Sequence, residues 1–147
     1  TPDALQNILS TVKALAIKRK GKLYVLFGCG GDRDSSKRPK MGLIASQFSD
    51  FLVITDDNPR TEPSKTIIED IASGIPKHFK NYVKIPDRRV AITTLIQNAT
   101  KNDIVILLGK GHETYQVLKD EIIHFDDREE ANKAILLRLK NDSYLID

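Results

Sequence analysis

Cysteine is nearly absent from this 147-residue chain: Cys29 stands alone. No disulfide can close within the chain, and a reducing, cytoplasmic setting is expected. Long apolar runs are missing too. None approaches the ~20 residues that cross a bilayer, so no membrane partner is expected. The N-terminus lacks the basic-then-apolar order of a secretory signal. An initiator methionine is also missing. Thr1-Pro2-Asp3 opens in what reads as a helix start, so an excised or processed fragment is expected. Excess charge of one sign is slight, with a formal net charge of +3 and a pI near 8.9. Such a balance suits an anionic small molecule or a phosphate. Dedicated nucleic-acid binders concentrate their charge more, so no nucleic acid is expected. Lys18, Arg19, Lys20 and Lys22 do bunch, but a helix C-terminus favours cations there.

What is present is ordinary for one soluble globular domain over residues 1–147: 40% apolar and 29% charged residues. Thr1 can cap a helix whose first position suits Pro2, and Leu5, Ile8, Leu9, Val12, Leu15 and Ala16 recur at helical spacing. Leu23 to Phe27, between Gly21 and Gly28, reads as a buried strand. Pro39 opens a second helix with Leu43, Ile44 and Phe48 on one face. Phe51 to Thr55 is the next strand. A helix with Ile67, Ile68 and Ile71 ends at Gly74, a suitable C′ residue. Tyr82 to Ile85 is a short strand, and Asp87 caps a helix carrying Val90, Leu95 and Ile96. Asp103 to Leu108 is the most apolar strand. Tyr115 to Leu118 and Glu121 to Phe125 form a hairpin. Asp127 caps the last helix, with Glu130 placed for a capping box. This alternation predicts an α/β fold: a doubly wound, mostly parallel, Rossmann-like sheet with helices on both faces, plus a C-terminal β-hairpin.

In such sheets ligands bind beyond the carboxyl ends of the strands. Three loops lie there, and they carry nearly all the unusual residues. The first runs from Gly28-Cys29-Gly30-Gly31-Asp32-Arg33 to Lys37-Arg38-Pro39. Its glycines permit close approach of a ligand, and Arg33, Lys37 and Arg38 supply charge for a carboxylate or phosphate. It is no nucleotide loop by pattern. No G-x-x-x-x-G-K-[ST] string occurs in the chain, and Arg33 replaces the third glycine of the dinucleotide fingerprint. A tight turn in a basic surface loop explains the same residues.

The second loop is Thr55-Asp56-Asp57-Asn58-Pro59-Arg60-Thr61-Glu62-Pro63. Asp57 serves a rigid turn. Arg60, held at a fixed angle, makes a bidentate carboxylate receptor, and Asn58 can donate to the same anion. An Asp-Asp pair could bind metal, but no His or Cys adjoins it and an arginine does, so no metal ligand is assigned. In the third loop, Gly109-Lys110-Gly111-His112-Glu113, Glu113 can pair with an ammonium group and the Gly109 carbonyl can accept from it. Lys110 or His112 could act as a base, while a histidine packed in its loop is the simpler reading. Cys29 has no histidine near it in sequence and reads as a buried thiol. No Ser/His or Cys/His pair occurs, so no catalytic residue is assigned. Carboxylate binders beside an ammonium binder point to an amino-acid zwitterion.

Together, Phe27 to Asp34, Lys37-Arg38-Pro39, Thr55 to Arg60 and Gly109 to Glu113 with Tyr115 and Gln116 closely resemble the C-terminal domain of Mur ligases, in their diaminopimelate-adding branch. The resemblance covers almost the whole chain. It implies a three-domain cytoplasmic enzyme of peptidoglycan synthesis. Its other domains hold the UDP-MurNAc-dipeptide and, on a P-loop, ATP and Mg2+. It further implies an acyl phosphate attacked by the amine of meso-diaminopimelate, and a monomer. By matching position, Arg33, Asn58 and Arg60 would hold the distal carboxylate, and Gly109 and Glu113 the distal ammonium. The candidate substrate-binding set is therefore Arg33, Asp57, Asn58, Arg60, Gly109 and Glu113. Lysine lacks the distal carboxylate, and each charged hydrogen bond it forgoes is worth ~1.5–3 kcal/mol. Asp32 or Asp56 is expected near the ATP bound next door. Relatives carry two acidic residues before the proline that follows this turn. Here only Glu62 precedes Pro63, so that helix is expected to start a residue early. The chain alone should catalyse nothing. A free-standing amino-acid-binding or sensor module is the alternative, and a nucleotide-binding domain a third reading.

Overall fold

The computed structural model describes the backbone of residues 1–146 and the side chains of residues 1–142. The elements run α1 (Pro2–Lys18), β1 (Leu23–Phe27), α2 (Arg38–Phe48), β2 (Phe51–Ile54), α3 (Ser64–Ala72), β3 (Tyr82–Lys84), α4 (Arg88–Asn98), β4 (Ile104–Leu107), β5 (Tyr115–Val117), β6 (Ile122–His124) and α5 (Asp127–Ile146). Four strands pair in parallel in the order β3-β2-β1-β4, and β5 and β6 form a separate antiparallel hairpin.

Alternation along the central strands sends side chains to both faces. Leu23, Val25 and Phe27 of β1 and Leu52 and Ile54 of β2 pack with Leu5, Leu9, Ala45, Ile67 and Ile71 from α1, α2 and α3. Leu26 and Val53 pack the other way, against Ala91, Ile92 and Leu95 of α4 and Ala134 of α5. The sheet is thus doubly wound. Strand order turns back between β1 and β4, so the switch-point crevice lies beyond Phe27 and Leu107. The most apolar strand by sequence, β4, is at the sheet edge and only half-buried.

Several local expectations change. Gly74 is not left-handed. A Cβ there would stand 1.8 Å from the Pro39 carbonyl oxygen, so close approach of α2 is what demands glycine. Val90 is 49% exposed, and Ala91 and Ile92 take the inward positions of α4. The last helix is capped by Asp126, whose carboxylate accepts from the Arg128 N–H at 2.9 Å. Asp127 is drawn instead to Arg88, and Glu130 accepts from Arg89 at 3.0 Å rather than closing a capping box. Pairing with buried Arg88 and exposed Arg89 thus outcompetes the local caps. A 3-10 turn at Ser35–Lys37, capped by Asp34, precedes α2 without a sequence signal that separated it from loop.

Candidate functional site

The three loops meet at the switch point and interlock. Gly31 N–H donates to the Asn58 carbonyl at 2.8 Å, and the Arg60 guanidinium donates back to the Gly31 carbonyl at 2.9 Å. A Cβ on Gly31 would fall 1.8 Å from the Pro59 carbonyl oxygen, so only glycine allows this contact. Both carboxylate oxygens of Asp32 accept from Thr61. Arg38 is buried and grips Glu62 with two bonds, at 2.6 and 2.9 Å, while also reaching Asp70 and the Gly30 carbonyl. The Arg38 bonds hold the Glu62 carboxyl down at about 2, and Glu62 in turn raises the Arg38 guanidinium. Arg38 is therefore a strut and not a free anion binder. Glu62 is consumed in the same ion pair, and α3 starts at Ser64, directly after Pro63.

The β5–β6 hairpin braces the second loop from outside the sheet. Arg60 sits in the left-handed region at φ 54°, a conformation that costs roughly 1–2 kcal/mol for a residue with a Cβ. Its N–H donates to the Val117 carbonyl at 3.1 Å, which holds it there. Val117 N–H donates to Asn58 Oδ1 at 2.9 Å, and the Gln116 amide donates to the Asp57 carbonyl at 2.9 Å. Asn58 is buried, and its amide also donates to Glu113 at 3.1 Å.

Beside these loops lies an open cleft of ≈ 480 Å³, walled in part by Gly28, Gly30, Arg33, Lys37, Asp57 and Gly109. Gly30 is the pivot of its cationic side. The position of a Cβ on Gly30 lies 2.9 Å from an Arg60 amino nitrogen and 3.6 Å from the Arg33 side chain. Gly109, at φ 113°, faces the Asp57 carboxylate. Arg33, Asp57 and Gly109 thus border the cleft. Asn58, Arg60 and Glu113 do not line it: Arg60 backs it at Gly30, and Lys110 links Asp57 to Asn58 and Glu113. Burial pushes the Asp57 carboxyl up, against the pull of Lys110 and Arg88, and one of its oxygens has no hydrogen bond among the described residues.

Three buried cations were not singled out by sequence for the positions they hold. Arg88 donates twice to Asp127, at 2.8 and 2.7 Å, and once each to the carbonyls of Asp56 and Leu108. It so ties the ends of β2 and β4 to the start of α5. Arg38 does the same for the first loop and α3. Lys110 is the third, with its side chain 0% exposed and burial lowering its ammonium. His112 is exposed at its loop tip and not packed. Asp56 accepts from Ser64 at 2.7 Å, and neither it nor Asp32 borders the cleft. Cys29 does, as a thiol that burial raises to about 11, in contact with Met41.

The profile of the family described as "Mur ligase, glutamate ligase domain" matches residues 1–111. The chain is 51% identical over 135 residues to the UDP-N-acetylmuramoyl-L-alanyl-D-glutamate–2,6-diaminopimelate ligase of Clostridioides difficile (strain 630), covering 92% of this chain and 27% of that one. The like-named ligase of Prochlorococcus marinus (strain NATL1A) is 52% identical over 138 residues, covering 94% and 26%. A solved structure of a ligase of that name superposes with a TM-score of 0.84 at 40% identity, over 94% of this chain and 28% of the other. The chain thus spans about a quarter of the length of these relatives.

Proposed function

The chain belongs to the Mur ligase family, and we propose that it is the amino-acid-binding domain of an ATP-dependent ligase that adds meso-diaminopimelate to UDP-MurNAc-L-Ala-D-Glu. One observation carries the reading: Arg33 and Asp57 border one cleft, with an Arg60 amino nitrogen behind its Gly30 wall and Glu113 linked to Asp57 through Lys110. A zwitterionic end group needs both signs at one site. The guanidinium pair would receive the distal carboxylate. Glu113, with the Gly109 carbonyl, would receive the distal ammonium, oriented by Asn58. Asp57 completes the anionic wall. The site lies at the switch point, where α/β sheets place ligands. The names of the relatives give 2,6-diaminopimelate for those proteins, which supports carrying that amino acid over.

The donor set here does not suit a divalent metal. Asp57 and Glu113 both face the Lys110 ammonium, at 3.7 and 3.9 Å, and guanidinium groups adjoin them. ATP and Mg2+ therefore belong to the rest of the ligase, which would supply activation of the acceptor carboxylate as an acyl phosphate. This chain's residues bind the amine nucleophile, orient it and reject competitors. A monomeric, cytoplasmic enzyme is part of the same proposal. The test is amide formation by the full-length ligase with the UDP-linked dipeptide, ATP and each amino acid in turn. Phosphate release should depend on diaminopimelate. Incorporation of lysine in its place would refute the assignment.

A further inference from the structure

We propose that Lys110 is a positioning residue that fixes the direction of the Asn58 amide and thereby the selectivity of the amino-acid site. The proposal rests on the reading of the cleft given above. Lys110 Nζ donates to Asn58 Oδ1 at 3.2 Å and to the Tyr115 carbonyl at 2.8 Å. Val117 N–H donates to the same Asn58 oxygen. An ammonium and a backbone N–H can only donate. With both aimed at one atom of the amide, that atom must be oxygen. Asn58 is then compelled to turn its NH2 group toward Glu113, which accepts at 3.1 Å. A flipped amide would face two donors with its own NH2 and confront Glu113 with its oxygen.

Lys110 also stands between the two carboxylates of the site, 3.7 Å from Asp57 and 3.9 Å from Glu113. It is fully buried and does not border the cleft. It acts on the bound amino acid only through these neighbours. Without the ammonium, Asn58 keeps one of its two orienting donors. The two carboxylates then lose the cation that spaces them.

The test is steady-state kinetics of the full-length ligase carrying Lys110→Met, which keeps the length of the side chain and removes its charge. The KM for diaminopimelate should rise about tenfold to a hundredfold, the effect of one charged hydrogen bond. The preference over lysine should fall with it. The kcat and the KM for ATP should stay within about twofold, since chemistry and nucleotide binding are untouched. A merely structural lysine would instead reduce the active fraction, lowering kcat at unchanged KM. Lys110→Gln, which can still donate to Asn58, should show a smaller rise in KM. An unchanged KM in a folded Lys110→Met enzyme overturns the positioning role alone. Failure of both variants to give a cooperative thermal transition also overturns it, in favour of a folding role. Absence of diaminopimelate turnover in the wild-type enzyme overturns the reading of the site itself.

Discussion

Arg88 offers the sharpest test of how the site loops are held. Its side chain is 0% exposed and bonds Asp127 through two nitrogens, along with the Asp56 and Leu108 carbonyls just past β2 and β4. Replacing it by methionine keeps most of the volume and leaves the Asp127 carboxylate, only 12% exposed, without its partner. Removing one member of a buried pair costs about 3–5 kcal/mol. Asp127 opens α5, where the helix dipole returns up to ~1 kcal/mol. The expected loss for Arg88→Met is therefore about 3 kcal/mol, a large part of the ~5–15 kcal/mol that stabilises a domain. Urea unfolding of this chain, followed by circular dichroism, should show it as a midpoint lowered by roughly 1–3 M with an unchanged slope. The double variant Arg88→Met/Asp127→Leu removes the orphaned charge as well and should recover part of the loss. A loss under ~1 kcal/mol, or a double variant no better than the single one, would show that Arg88 does not hold these loops through a buried ion pair.

Gly31→Ala should cost about 1–3 kcal/mol in thermal unfolding and weaken diaminopimelate binding, because its Cβ would meet the Pro59 carbonyl at 1.8 Å. Gly111→Ala is the control: with nothing within 4 Å at φ 57°, it should cost only the ~1–2 kcal/mol of a left-handed alanine. The Arg38–Glu62 pair should give acid-dependent stability. The Glu62 carboxyl lies at about 2 in the folded chain against an ordinary 4.5, so its contribution is complete above 4.5 and lost as pH falls toward 2. The stability difference between wild type and Glu62→Gln, measured by urea unfolding, should shrink across that window. A difference that grows toward low pH would contradict the sign.

The fold was legible where local and global signals agreed. Leu23 to Phe27 is a short apolar run between glycines, and it is the central strand β1. The hairpin over 115–124 and the strand-end loops likewise follow from alternation and turn residues. The loops that border the cleft were legible from their glycines and charges, and Arg33, Asp57 and Gly109 stand at it, whereas Asn58 and Arg60 lie behind it and tie the second loop to its neighbours. What was not legible is the set of struts. Arg38 finds Glu62 at 24 residues' remove and Arg88 finds Asp127 at 39. Ion pairs of that separation leave no periodic trace. The same pairing explains the cap on α5, because Asp127 answers to Arg88 in space before it answers to its own helix. Lys110 reads as a candidate base in sequence and becomes a buried tie only when the hairpin closes over it. Gly74 reads as a helix stop, yet the packing of α2 against it is the reason for glycine.

The proposed role of Arg33 and Arg60 is to read the distal carboxylate of the amino acid at this cleft. The most direct measurement is kcat/KM of the full-length ligase for diaminopimelate and for lysine, in wild type and Arg60→Ala. The variant should lose about tenfold or more with diaminopimelate, the weight of a charged hydrogen bond, while lysine is unaffected or improved. Diaminopimelate turnover that survives Arg60→Ala intact would contradict it.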